Sequence, residues 1–552
     1  MDEGYYDFII DNALADLYDS GDNMTPINEK SSIIYIPSAE TDICTLGTYP
    51  YRVFPSVFTL GANVNLEKSG IGKVQRNPNL ALFGLGVVIG IIDTGIDYQH
   101  QAFRYSDGTS RILSIWDQTI QDGKPPEGFP YGTEYDRDMI NLALKSENPL
   151  AVVPSVDENG HGTAIASIVA GSENTEKSFT GIVPFSGLAV VKLKQPKQKI
   201  RDIFLLPDDA VCFQETDVML GIRYLVNVAR QLRRSLALCI AFGTSQGGHD
   251  SLGATSSYLS NISQLAQIGV TVGGGNEGNK QRHYFGTVDS KTFTNEFDLK
   301  VSSQDKKFSF EIWCDALSRF SIEITTPGGE IIPEIFPRFN QCRRYNFIYE
   351  PSLIWVNNNI VEEQTGDQML LIRMQNPSEG NWHFKLHNIE NVVSSFHAWL
   401  PSSDLISTET FFLQSTPDTT LTSPGNALNP MTVTAYNQED DSILIESGRG
   451  YNRRNEIKPD FAAPGFNLTC ATVNGGYGTI TGSGAATAYA TGIVAMILEW
   501  AVVKGNYTSI TGMDISRFLI RGASRDEGIT YPNNIWGYGK IDINGVFEKL
   551  TL

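Results

Sequence analysis

Paired cysteines, clustered metal ligands, a surplus of basic charge and a long unbroken apolar run are all missing from this chain of 552 residues. The six cysteines (Cys44, Cys212, Cys239, Cys314, Cys342 and Cys470) lie far apart with no CxxC pair, and the seven histidines do not cluster with them. A disulfide scaffold and a zinc site are therefore poor readings, and buried free thiols are expected. A formal net charge of −20 weighs against nucleic acid or an anionic membrane surface as partner. The N-terminus, MDEGYYDFIIDNALADLYDS, carries acids where a secretory signal needs bases and has no continuous apolar centre, so export by a signal peptide is not expected. No stretch reaches the roughly 18 consecutive apolar residues of a membrane span; the nearest, Ile493 to Val503, is interrupted by Glu499. No compact carboxylate loop suggests calcium, and no metal or cofactor is assigned.

What is present is an ordinary globular composition, 41% hydrophobic and 19% charged. At roughly 150 residues per domain the chain holds several folding units, with enough length to bury a sizeable core. Residues 1–60 mix short patterns around the β-branched run SSIIYIPS and suggest a small α+β domain, followed by the Pro-containing segment TYPYRVFPSVFTL. From Gly86 the pattern changes to apolar runs, GVVIGIIDTGID, LAVVKLK, LALCIAF and VTVGGGNEGN, with helical stretches such as Val218 to Leu232 between them. Strands buried on both faces look like this, and the expected fold class is α/β with a parallel sheet and flanking helices. Between residues 286 and 401 the period switches to two, as in KFSFEIWC, RFSIEIT and NWHFKLH, which predicts an inserted antiparallel β-sandwich. The α/β pattern occupies 61–285 and resumes over 402–552, where a long apolar helix is expected from about Gly484 to Val503.

Three short motifs stand in order. Asp93 ends the first buried run in IIDTGID, where a desolvated carboxylate can orient an imidazole; alone it is as readily a structural turn. His161 lies in NGHGTAIASIVAG, where small residues let a neighbouring backbone pass close to the ring; alone it is a helix cap. Asn276, in GGGNEGN, offers an amide to a developing oxyanion, or simply a tight turn among glycines. Taken together with the Gly-rich helix start TGSGAATAYATG, the ordered set makes the separate structural readings poor ones.

At this point the sequence resembles the subtilisin-like serine peptidases, through VVIGIIDTGID, NGHGTAIASIVAG, GGGNEGN, IKPDFAAPG and TGSGAATAYATG. The resemblance implies that Asp93 and His161 occupy the triad acid and base, Asn276 the side-chain oxyanion donor, and AFGTSQGGHD from Ala241 the substrate-binding strand. The segments DYQHQAF, SRILSIWDQT, GTEYDRDMINLAL, SGRGYNRRNEIKPDF and YPNNIWGYGKIDI, together with the insertion, narrow it to the clostridial spore-germination subtilases called Csp. That family implies a folding prodomain over 1–60, a jelly-roll insertion over 286–401, and a place in spores. It also implies partners: a sister protease or other germination proteins, and for catalytically dead members a small-molecule germinant such as a bile salt.

The family's nucleophile motif is Gly-Thr-Ser-x-Ala-x-Pro-x-x-x-Gly. Laid over Gly482 to Gly492 it puts Ser483 on the threonine, Gly484 on the catalytic serine and Ala488 on the proline. Glycine has no side chain to attack a carbonyl, and in subtilisin removal of the serine costs about 2 × 10⁶ in turnover. Ser483 is a poor substitute: one step at a helix start swings a side chain about 100° and moves its Cα about 3.8 Å, whereas about 1 Å of misplacement already costs about a hundredfold. Thr481 is a poorer one. Two altered positions together point to drift rather than to a single engineered knockout. The sequence thus implies a pseudoprotease of the Csp branch, with its prodomain left uncut and its tail near Tyr49 to Leu60 lying in the substrate cleft. An active serine endopeptidase using Ser483 is the alternative.

Overall fold

The computed structural model describes residues 4–13, 24–37, 49–60, 68–288, 291–339, 341–390, 392–402 and 405–550. The apolar runs form the core of the central sheet: Val87–Asp93 lies between Ser235–Ile240 and Gly187–Lys192, parallel to both. Outward on one side come Ile268–Gly273 and Met431–Asn437, and on the other Ile112–Asp117, all parallel. Short antiparallel strands, Ser442–Ile443 and Thr133–Asp136, close the two edges. Every residue of the four innermost strands is buried, because helices cover both faces: His161–Ala170 and Ser483–Leu498 on one, Glu215–Leu232 on the other. This is the expected α/β class, a parallel sheet with flanking helices.

The helix Ser483–Leu498 is buried along its whole length and continues through a wider turn, Glu499–Val503. By length and composition it could cross a membrane, yet 83% of its apolar window is buried inside the protein. Glu499 ends the apolar run by accepting the N–H groups of Phe83 and Gly84, at 2.8 and 2.7 Å.

The alternating segment forms two antiparallel sheets, of six and five strands, running from His283 to Trp399 with Phe411–Phe412 added at one edge. Inward residues such as Phe310, Phe320, Trp382 and Phe384 make its own core. The N-terminal strands Tyr5–Asp11, Met24–Pro26 and Ser31–Pro37 form a third sheet. That sheet shares an apolar cluster with both larger units: Tyr6, Phe8, Phe54 and Val57 pack with Ile203 and Phe204 and with Trp313 and Leu371.

One expectation needs correction. Cys212, Cys239, Cys314 and Cys470 are buried free thiols, but Cys342 is disulfide-bonded. Spacing along the chain carries no information about a cross-link whose partners meet only after folding; Cys44 lies outside the described residues.

Candidate functional site

Asp93 is the last residue of its strand and is fully buried, at the carboxyl ends of the parallel strands where sites gather in such sheets. His161 is the first residue of its helix and 6% exposed. Its Nδ1 lies 2.8 and 2.9 Å from the two carboxylate oxygens of Asp93. The flanking glycines explain how this close approach is reached. Gly160 enters the helix at φ +88°, and a Cβ on Gly162 would stand 2.2 Å from the Gly95 carbonyl oxygen.

A residue the motif search passed over holds this arrangement in place. Asp157 accepts four hydrogen bonds: its Oδ1 from the Thr94 hydroxyl and the Gly160 N–H, at 2.7 and 2.8 Å, and its Oδ2 from the N–H and hydroxyl of Thr163, at 2.8 and 2.7 Å. Thr94 Oγ1 in turn accepts the Gly162 N–H at 3.0 Å. The strand end and the helix start are therefore joined through one buried carboxylate. The signal was the Asp four residues before the histidine, in DENGH, which sequence alone could not separate from a solvated turn.

Asn276 follows the strand Ile268–Gly273 and accepts the Ser483 N–H on its Oδ1 at 2.9 Å. This pins the amide against the helix start and leaves its NH₂ as the remaining donor. Asn276, Gly243 and Ser483 line one small cavity together with Thr59 and Thr422.

At the helix start Gly482 takes φ +144°, a conformation that favours glycine, and its N–H donates to the Gly465 carbonyl at 2.9 Å. Gly484, one step inside the helix, presents no side chain. Ser483 is 3% exposed, and its Oγ sits 3.5 Å from the point a Cβ on Gly273 would occupy. Its hydroxyl therefore packs against the strand Ile268–Gly273. The Thr481 hydroxyl accepts the Asn467 N–H at 3.4 Å. The structure thus brings Asp93 to His161 and Asn276 to Ser483, and it places no hydroxyl at Gly484.

The strand after Ala241 is occupied. Val57–Leu60 pairs antiparallel with Phe242–Gly243 on one side and with Phe213–Gln214 on the other. The Val57 N–H donates to Gln246 Oε1 at 2.7 Å, and the Phe58 and Phe242 rings meet edge-on at 5.7 Å. Residues 61–67 lie outside the described residues. Further back, Asp7 is ion-paired with Lys197 in a buried contact and accepts Gln214 Nε2 at 3.0 Å. Tyr51 donates its hydroxyl to Glu311 of the β-sandwich, which also accepts the Gly247 N–H and the Trp313 indole N–H, both at 2.9 Å. Burial pushes the Glu311 carboxyl up against the pull of these donors.

Nearby, His249, His283 and His397 stack with Trp399 where the sandwich meets the α/β body, with ring centres 4.1 to 5.1 Å apart. Burial lowers His249 to about 4 against the pull of the Ser245 and Leu421 carbonyls, and lowers His283 to about 3. His397 falls well below the usual imidazole range for the same reason. Among the described residues no group of three His, Cys, Asp or Glu is arranged to hold a metal ion.

Residues 84–284 and 406–539 match the subtilase family, Peptidase S8. The CspB protease of Clostridium perfringens superposes with a TM-score of 0.77 at 28% identity, over 88% of this chain and 96% of that one. The subtilisin-like protease SBT3.10 of Arabidopsis thaliana is 32% identical over 112 residues, which is 18% of this chain and only 14% of the plant protein's length.

Proposed function

The chain belongs to the subtilase family, as a subtilisin-like protein of the Csp type, and we propose that it is a pseudoprotease that acts by binding. One observation carries the reading: Gly484 stands at the nucleophile position, while the neighbouring Ser483 hydroxyl is packed against Gly273. An acid and base with nothing to activate cannot form an acyl-enzyme. The tail strand Val57–Leu60 supports the reading, since a segment with both edges paired competes with any incoming peptide. On this reading residues 1–60 stay covalently joined to the body and fill its cleft. The likeness to CspB motivates a role in spore germination, with a sister protease or another germination protein as partner and with a small germinant such as a bile salt modulating the contact.

Incubation of the purified chain with a fluorophosphonate probe tests this, and no covalent labelling is expected. The intact Asp93–His161 contact favours the second reading, a serine endopeptidase that uses Ser483. Labelling that disappears in Ser483→Ala would establish that reading and discard the first.

A further inference from the structure

A cavity of about 60 Å³ opens where the tail, the subtilase body and the β-sandwich meet. Tyr51 and Phe54 of the tail, Glu215 and Thr255 of the body, and Trp313 and Glu362 of the sandwich all line it. Glu215 and Glu362 are 6% and 4% exposed. Among the described residues Glu215 accepts only backbone N–H groups, from Ser56 at 2.9 Å and Thr255 at 3.1 Å. Glu362 accepts the Gln364 N–H and the N–H and hydroxyl of Thr365, all on Oε2, so that Oε1 has no hydrogen bond from the described residues. Neither carboxylate has an ion-pair partner among the described residues. The buried guanidinium of Arg453 lies over the Trp313 ring at 5.6 Å and is paired with Asp250 and Asp367. Thr255 is 2% exposed, and its Oγ1 has no partner among the described residues.

Two buried carboxylates on one cavity, neither of them ion-paired among the described residues, each carry the cost of a charge drawn out of bulk water. A cation in the cavity relieves both costs, and the aromatic walls suit its charge and its carbon chain. We propose that this cavity binds a small primary ammonium compound, with its charge against Glu362 and Glu215, its carbons against Tyr51, Phe54 and Trp313, and the Thr255 hydroxyl as a further polar contact. Since about 10–15 Å³ on this scale holds one water, the space takes a compound of about four to six non-hydrogen atoms. An anion of that size meets like charge; Arg52, also on the wall, is the cation such an anion would have to use. The ligand touches all three parts of the molecule at once, so its binding stabilises the seated tail by linkage. The inference does not depend on whether the cleft cleaves peptides.

The test uses the full chain, titrated with n-propylammonium chloride and, at equal ionic strength, with sodium propionate. We expect a saturable rise in Tm with the ammonium salt, with a millimolar midpoint, slowed amide exchange over residues 51–58, and neither response with propionate. Glu362→Gln should weaken the response at least tenfold. Thr255→Val removes a hydroxyl without a partner, so it should leave the unliganded Tm unchanged while weakening binding severalfold; it carries the test if the glutamine variant does not fold. Equal responses to the two salts, no saturable response to the ammonium salt, or an unaltered midpoint in both variants would overturn the proposal.

Discussion

Two ends of the cleft hold buried carboxylates in different ways. At the Asp93–His161 end each Asp157 oxygen accepts two hydrogen bonds and the Asp93 carboxylate faces the His161 ring. At the junction end Glu215 and Glu362 have N–H and O–H donors, and among the described residues they have no ion-paired cation and one oxygen of Glu362 accepts no hydrogen bond. A completed network stabilises the fold whether or not chemistry follows, because removing any member strands the others. An incomplete one leaves free energy for a ligand to recover. The acid–base pair can therefore be part of the architecture beside Gly484, whether or not it serves chemistry.

The largest expected effect tests the completed end. Asp157→Ala strands the donors of Thr94, Gly160 and Thr163, and should lower the unfolding free energy by about 3–5 kcal/mol, measured by denaturant titration. A loss below about 1 kcal/mol would mean that the network does not support the fold.

Next comes acid. His249, His283 and His397 are held neutral in the folded state, with Asp250 and Arg453 beside His249. The unfolded rings take protons near pH 6.5, so below that pH the unfolded state binds more protons and stability falls. The contribution is complete above about pH 6.5 and is lost toward about pH 4, by about 1.4 kcal/mol per pH unit for each ring. Thermal unfolding followed from pH 7.5 to 4.5 should show this slope, flattened in His249→Gln.

A smaller energetic effect, with a qualitative readout, is expected at Gly484. Gly484→Ser should change stability by no more than about 1 kcal/mol, yet it restores a hydroxyl at the helix start. Fluorophosphonate labelling, or a new amino terminus past Tyr49, should then appear. If neither does, the Asp93–His161 geometry is insufficient for activation. The smallest effect is Ser483→Ala, expected within about 0.5 kcal/mol, because its hydroxyl sits between Gly273 and a small cavity.

Much of this was legible in the residues. The apolar runs ending at Asp93 and Gly273 announced strands buried on both faces, and the period-two segments announced a sandwich, because periodicity is a local consequence of which faces are buried. Asp157 was not legible, since an aspartate in a polar turn gives the same local signal whether it faces water or four donors. Nor was the bonded state of Cys342, because disulfide pairing depends on distances the sequence does not carry.

The sequence by itself determined the fold class, the order of the motifs and the absence of a side chain at Gly484, all of which are properties of single residues or short windows. Only the tertiary structure decided that the Val57–Leu60 strand pairs beside Phe242, that Asp7 meets Lys197, and that Glu215, Thr255 and Glu362 face one cavity. Most of those contacts join segments more than a hundred residues apart, and the tail, the body and the sandwich meet in one shared apolar cluster.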